Sequence, residues 1–141
     1  MVNLELAYRL GTLFDQKITS VYRASFNCDY GKVQIDVLSW LYEHPGIRAS
    51  ELSERMNTPK QHISKIIIDF EADGLVERKP SPSDRRAILV SLTEAGREFI
   101  EKHIRASDEN LLRITQGISS EEADKLNLAM KTVIEILEKA K

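Results

Sequence analysis

Residues 49–92 read ASELSERMNTPKQHISKIIIDFEADGLVERKPSPSDRRAILVSL and carry the strongest structural signals in the chain. In their middle, Thr58 is followed by Pro59 and, three residues later, by Gln61. This is the pattern of an N-cap hydroxyl, a proline in the first turn and a capping-box side chain. The pattern predicts a helix that begins at Thr58 and ends at Gly74, where a left-handed residue is needed.

A shorter helix and a hairpin lie on either side of this helix. Apolar residues four positions apart predict the short helix over residues 49–56. Two runs rich in branched residues, 75–79 and 87–92, flank the polar segment 80–84 and predict a β-hairpin. Two helices joined by a short turn and followed by a hairpin match a winged helix-turn-helix, whose second helix enters the DNA major groove.

Further helices are predicted before this unit. An apolar stripe with spacings of three and four predicts one long helix from Asn3 to Ser25. The chain is expected to break at Asn27, and a second stripe over residues 33–41 predicts another helix, with Asp29 as its cap. Trp40 lies on that second stripe and is expected to belong to the core.

Two more helices are predicted after the hairpin. Thr93 can cap the first of them, which continues toward residue 114 and stops before Gly117. Ser119 and Glu122 form a capping box for the last helix. Its apolar stripe has no obvious partner within the chain, so we expect these helices to pack together or against a second copy; the stripe comprises Leu126, Met130, Val133, Ile134 and Leu137.

The expected fold class is therefore mainly α (α+β), a winged helix-turn-helix with flanking N- and C-terminal dimerisation helices. We expect one domain over residues 1–141, because 141 residues with 42% apolar content suit a single core. Within it, residues 31–104 form the winged unit, and residues 1–28 and 105–141 form the dimerisation helices.

Composition limits the partners. Twenty basic against 22 acidic residues give a net charge of -2, which excludes a uniformly basic coat, so any site for a polyanion must be local. No apolar run approaches about 18 residues, so no membrane span is expected. The single cysteine, Cys28, cannot form an internal disulfide, and it fits a reducing, cytoplasmic location.

A local basic site is present in the second helix and the hairpin. No acidic residue occurs in residues 58–65, and residues 78–86 hold four basic residues against Asp84 alone. Side chains of this kind suit phosphates and base edges, and cationic hairpin tips suit the minor groove. The candidate DNA-binding residues are Thr58, Lys60, Gln61, His62, Ser64, Lys65, Arg78, Ser83, Asp84, Arg85 and Arg86.

Residues 84–93, DRRAILVSLT, follow the pattern D-x-R-x-x-x-V-x-L-T. This pattern resembles the wing signature of the MarR family of bacterial and archaeal transcription regulators, and GLVER at 74–78 and EAG at 94–96 resemble its flanks. Two positions depart from the family pattern: Arg48 stands where a hydroxyl cap is usual, and Gly31 where threonine is usual.

The resemblance implies a homodimer in which two winged units read a pseudo-palindromic double-stranded DNA operator. It implies that Arg86 reaches the minor groove and that Asp84 holds the Arg86 side chain by a charge-assisted hydrogen bond. It further implies a repressor that a small aromatic or phenolic effector relieves.

Enzymatic chemistry is not expected. His44, His62 and His103 lie far apart without metal-ligand spacing, and no nucleophile elbow, phosphate loop or dinucleotide fingerprint occurs. We therefore expect no catalytic residue, no metal and no cofactor. Two other functions stay open: a winged-helix module that binds protein instead of DNA, and a regulator that senses oxidants through Cys28, although a small buried hydrophobe is the favoured interpretation of that cysteine.

Overall fold

The computed structural model describes residues 1–25 and 28–140. The helices are α1 (Leu4–Phe14), a π-helical turn (Asp15–Thr19), α2 (Ser20–Ser25), α3 (Lys32–Glu43), α4 (Ala49–Arg55), α5 (Lys60–Ala72), α6 (Glu94–Ile114) and α7 (Ser120–Lys139). The strands are β1 (Ile47–Arg48), β2 (Val76–Pro80) and β3 (Ile88–Leu92). A mainly helical chain with a small sheet confirms the predicted fold class.

The N-terminal helix is helical over the predicted span but is not a single α-helix. The side chain of Asn3 caps α1 by accepting a hydrogen bond from the Leu6 N–H at 3.0 Å. The π-helical turn Asp15–Thr19 then separates α1 from α2. An apolar stripe does not reveal such a turn, because the extra residue only shifts the phase of the stripe. The predicted break at Asn27 lies outside the described residues.

The core is formed by α3, α5 and the sheet. The N-cap of α3 is Gly31, whose N–H donates a hydrogen bond to the side chain of Gln34 at 2.8 Å. The prediction that Asp29 caps this helix is therefore wrong. Ile100 of α6 reaches the same core. The largest fully buried side chains are Phe70, Leu38, Leu41, Leu52, Ile63, Ile67, Ile100, Val37, Val76 and Val90.

The start of α5 differs from the predicted capping box. The N-cap residue is Pro59, and no side-chain hydrogen bond caps the helix. The Thr58 hydroxyl instead donates to the Met56 carbonyl at 3.1 Å. The cause is a tight contact with α4: the hydroxyl of Ser53 donates to the Thr58 carbonyl at 2.6 Å, and the Thr58 N–H donates to the Ser53 carbonyl at 3.0 Å. This contact ties Thr58 to α4 instead of α5.

The other end of α5 is as predicted. Gly74 has φ of +75°, a left-handed conformation that favours glycine. The N–H groups of Gly74 and Leu75 donate to the carbonyls of Glu71 and Phe70. This is the Schellman arrangement that closes a helix and turns the chain into the hairpin.

The sheet contains the predicted hairpin and one strand that was not predicted. β2 and β3 pair antiparallel, with Arg78 opposite Val90 and Pro80 opposite Ile88. β1 pairs with the other edge of β3, which gives the order β1-β3-β2. The third strand ties the hairpin to the loop before α4.

The last two helices begin at their predicted caps. The Thr93 hydroxyl accepts from the Gly96 N–H at 3.0 Å, and Ser119 and Glu122 form the reciprocal capping box. α6 packs against α2, whereas none of the residues in α1 and α7 is buried within the chain. Large exposed apolar side chains on these two helices include Leu4, Leu6, Leu10, Leu13, Leu126, Leu128, Ile134, Ile136 and Leu137.

Candidate nucleic-acid interface

Helix α5 presents a polar outer face. Its inner face is buried through Ile63, Ile66, Ile67 and Phe70. The 3.6-residue period therefore turns the residues between them outward. The first turn carries no acidic residue, so the cation there and the positive end of the helix dipole can both attract a phosphate group. The exposed side chains among the predicted site residues of this helix are Lys60, Gln61, His62, Ser64 and Lys65.

Two of the predicted cations are held in ion pairs beside this face. The ammonium of Lys65 lies 3.2 Å from a carboxylate oxygen of Asp69, one turn further along α5. Arg78 of β2 contacts Glu71 of α5 through both Nε, at 2.7 Å, and Nη2, at 2.6 Å. Both nitrogens contact the same oxygen, Oε2, and the pair joins the hairpin to α5. It gives Arg78 a positioning role that the sequence did not predict.

The hairpin tip is organised by short polar contacts. The hydroxyl groups of Ser81 and Ser83 lie 3.1 Å apart, and Ser81 is buried although it belongs to a polar loop. A carboxylate oxygen of Asp84 accepts a hydrogen bond from the backbone N–H of Arg86 at 3.0 Å. The Ala87 N–H donates to the Asp84 carbonyl at 3.0 Å and closes the turn. The tip is therefore a defined turn with its arginines on the outside.

The predicted pairing of the Asp84 carboxylate with the Arg86 side chain is wrong. Asp84 contacts the backbone of Arg86, and its second oxygen lies 3.5 Å from Nη2 of Arg48. The physical reason is that a carboxylate two residues before an N–H closes a local Asx turn, while β1 brings Arg48 beside the tip. Arg48 at the N-terminus of α4, where a cation opposes the helix dipole, is the one local signal of such a partner.

The other cations among the predicted site residues lie at the start of α5 and at the hairpin tip. Within residues 1–25 and 28–140, Lys60, Arg85 and Arg86 form no ion pair, and all three are exposed. The structure joins α5 to β2 through Arg78 and the tip to α4 through Asp84. It thus brings the predicted site residues onto one connected unit of helix and wing, with unpaired cations at the start of α5 and at the tip.

A cavity of about 520 Å³ lies between α2, α3 and α6. Trp40 lines it and packs against the core while remaining only partly buried. The hydroxyl of Tyr22 lies 3.0 Å from that of Ser39. Burial raises the pKa of Tyr22 above its ordinary value, the Ser39 hydrogen bond opposes this, and the charges of Glu43 and Asp36 add to the rise. Trp40 is thus both a core residue and part of a cavity wall.

Other sites are not assembled by the described residues. Cys28 packs against the core, in keeping with a small hydrophobe. Within the described ranges, no three His, Cys, Asp or Glu side chains are placed to hold a metal ion, and no helix is long and apolar enough to cross a membrane.

Comparison with known proteins identifies the relatives of this chain. The model of the MarR family matches residues 32–88. The chain is 31% identical over 112 residues to the HTH-type transcriptional repressor IacR of Pseudomonas putida, and the match covers 76% of this chain and 67% of that protein.

Solved structures show the same architecture. RV1404 from Mycobacterium tuberculosis superposes with a TM-score of 0.82 at 17% identity and covers 99% of both chains. A mutant of MarR from E. coli complexed with operator DNA superposes with a TM-score of 0.66 at 22% identity, covering 92% of this chain and 94% of that chain. These likenesses confirm the predicted winged helix-turn-helix with flanking helices.

Proposed function

The chain belongs to the MarR family of transcription regulators, and from this we propose that it binds double-stranded DNA sequence-specifically as a homodimer and represses transcription. Proteins of this family are regulators and not enzymes, which confirms the expectation that the chain is not an enzyme. One observation carries the DNA-binding proposal. In a chain of net charge -2, Lys60, Arg85 and Arg86 form no ion pair with any residue that the structure describes, and they stand on the outer face of a connected helix and wing.

The proposed contacts follow from the groove dimensions. α5 enters the major groove, where Gln61 and His62 reach base edges and Lys60 contacts phosphate. The wing tip lies along the minor groove, where the narrow walls concentrate negative potential and attract Arg85 and Arg86. Ser64 and Thr58 supply hydroxyl groups near the backbone, while Arg78 keeps the wing at a fixed distance from α5 through Glu71.

The homodimer follows from the apolar faces of α1 and α7. A soluble monomer seldom exposes so much contiguous apolar surface, and a second copy covers it by symmetry. In this arrangement residues 31–104 act as the winged unit of a single domain, and residues 1–28 and 105–141 form the interface. The two α5 helices of such a dimer read half-sites about 10 base pairs apart.

Repression and its relief are the finer parts of the proposal. The relative from Pseudomonas putida is named a repressor, and we extend that role to this chain in the cytoplasm. The effector is a small aromatic molecule in the cavity lined by Trp40, whose ring gives a stacking surface. Binding there would change the packing of α3 against α2 and α6 and thereby the position of the winged unit.

Selection of bound fragments from a random DNA pool tests the proposal. The wild-type protein should enrich a pseudo-palindromic sequence, and Arg85→Ala/Arg86→Ala should bind it at least tenfold more weakly. Lys131→Ala/Lys139→Ala is the matched control, because it removes the same charge from exposed positions of α7 that lie outside its apolar stripe. If the wild-type protein enriches no sequence, the proposal is overturned and the protein-binding module is favoured.

A treatment with mild peroxide tests the redox alternative. Loss of DNA binding in the wild-type protein but not in Cys28→Ser would favour that alternative.

A further inference from the structure

Ile68 stands at the apex of the outer face of α5. Its side chain is 53% exposed, although the neighbouring Ile66 and Ile67 are 3% and 1% exposed. With about 100° between successive residues, Ile68 points about 150° away from the mean direction of the four buried side chains of the helix. It is therefore not the edge of the core stripe, and burial within the chain does not explain an isoleucine at this position.

Exposed apolar side chains are rare in the winged unit. Within described residues 28–104, Ile68 and Ile88 are the large apolar side chains that stand exposed, and the others in the described chain lie on α1, just before it, on α7 or near the end of α6. Those helices carry the faces that the proposed dimer covers. Ile68 lies on α5, which packs against α4 and β2, so dimerisation does not explain it either.

The charges around Ile68 are neutralised in pairs. Lys65 pairs with Asp69 on one side of it, and Glu71 pairs with Arg78 on the other. On the helical wheel, Gln61 lies almost directly in line with Ile68, two turns earlier. Seven residues of helix span about 10.5 Å, which is about three base-pair steps. An apolar side chain thus follows a base-reading amide along the same line of the helix.

The major groove offers one apolar group to such a side chain, the C5-methyl of thymine, which distinguishes thymine from the other bases. We propose that Ile68 reads a thymine methyl group about three base pairs from the base that Gln61 contacts, and so determines sequence preference at that position. This inference rests on the proposed function, since it requires α5 in the major groove.

Replacement of thymine by deoxyuridine tests the inference, because it removes the methyl and keeps the hydrogen-bonding edge. Each thymine of the selected operator is replaced in turn, at both symmetric positions, and the dissociation constant is measured. Burial of one methyl group corresponds to about fourfold in affinity, so the wild-type protein should lose about fourfold per half-site at one thymine. The variant Ile68→Ala should bind the two operators equally well at that position.

Two further variants complete the experiment. Ile68→Val keeps a branched apolar side chain and should retain part of the methyl dependence. Ile88→Ala is the matched control: it truncates an isoleucine that is 46% exposed in β3, and the loss at the same thymine should remain. The inference is overturned if the wild-type protein binds the operator but no thymine substitution depends on residue 68. Failure of the wild-type protein to bind any DNA would instead overturn the proposed function.

Discussion

Asp84 shapes the wing through the backbone of Arg86: its carboxylate accepts the Arg86 N–H at 3.0 Å and leaves the guanidinium outside the turn. The other oxygen of the same carboxylate lies 3.5 Å from Nη2 of Arg48. Asp84 therefore links the hairpin tip to the N-terminus of α4. Since the Arg86 side chain is exposed and forms no ion pair with any described residue, no intramolecular ion pair has to be broken before it meets DNA.

A double-mutant cycle on unfolding free energy distinguishes these two partners of Asp84. Arg48→Ala and Asp84→Ala should be coupled by about 0.2 to 1 kcal/mol, the usual range for a solvent-exposed pair, because the side chains are 53% and 46% exposed. Arg86→Ala and Asp84→Ala should be additive, since the hydrogen bond uses the backbone N–H of residue 86. Urea unfolding of the single and double variants measures both couplings. Strong coupling to Arg86 with none to Arg48 would contradict the described geometry.

Helix and wing should affect DNA binding differently. Gln61→Ala should relax base preference at one symmetric position, at a cost of about 1 to 3 kcal/mol, and should leave affinity for scrambled DNA unchanged. Arg86→Ala should weaken binding to operator and scrambled DNA alike. Among the candidate DNA-binding residues, three cations of each subunit, Lys60, Arg85 and Arg86, form no ion pair with a described residue. The log of the binding constant should therefore fall against log salt with a slope of about -5, and the slope should be shallower for Arg86→Ala. Titrations of both DNAs at several salt concentrations measure these effects; equal losses on both DNAs for Gln61→Ala would exclude it as a base reader.

Local patterns predicted most of the fold, because most elements are defined by short-range periodicity and caps. Thr93, Ser119 and Gly74 act as their sequence neighbourhood indicates. Two features were missed because they depend on contacts that residue patterns do not show. The two-residue β1 has no alternation and is defined by its pairing with distant β3, and the Ser53 hydroxyl donates to the Thr58 carbonyl across the turn between α4 and α5.

The sequence indicated which residue types form the candidate site, but it did not indicate which of these residues contact one another. The cations and polar groups of α5 and the wing were chosen from charge and spacing, but which cations are paired depends on how β2 lies against α5. Arg78 and Glu71 are close only because the Gly74 turn folds the strand back onto the helix. Ile68 was not among the predicted site residues. Its outward position could nevertheless have been predicted from the sequence, because a helical wheel centred on Ile63, Ile66 and Phe70 places it on the outer face of α5.

The apolar face of α7 predicts the oligomeric state. Sedimentation at micromolar concentration should show a dimer and no species of 16.1 kDa. Ile134→Glu/Leu137→Glu should give a monomer and reduce affinity for a pseudo-palindromic operator, because these side chains are 56% and 64% exposed within one chain and the proposed dimer buries them. Lys131→Glu, on the same helix, is the control for added negative charge. A wild-type protein that sediments as a monomer would exclude symmetric reading of DNA.

Tyr30 predicts a loss of stability at alkaline pH. Burial and the hydrogen bond to Asp73 at 2.7 Å, whose donor is the neutral phenol, together with the negative charges nearby raise the pKa of Tyr30 from 10.0 to about 12. The unfolded chain loses this proton first, so the stabilising effect is complete below pH 10 and is lost as the pH rises toward 12. Tyr30→Phe should show a smaller decline in unfolding free energy between these pH values than the wild-type protein. Identical declines would show that the phenol is not held neutral by the fold.

Gly96 should tolerate no side chain, because the first turn of α6 is pressed against the end of the hairpin. The Thr93 N–H donates to the Leu75 carbonyl at 3.0 Å, and a Cβ on residue 96 would overlap that same carbonyl oxygen. The obstacle is backbone, so relief requires α6 to move away from the core that Ile100 helps to fill. Gly96→Ala should therefore lower the free energy of unfolding by about 1 to 3 kcal/mol or more, measured by urea titration. Gly117→Ala is the matched control, because no atom lies within 4 Å of its Cβ position, and its effect should stay within about 0.5 kcal/mol. If both variants were equally stable, the close contact between α6 and the hairpin would not exist in solution.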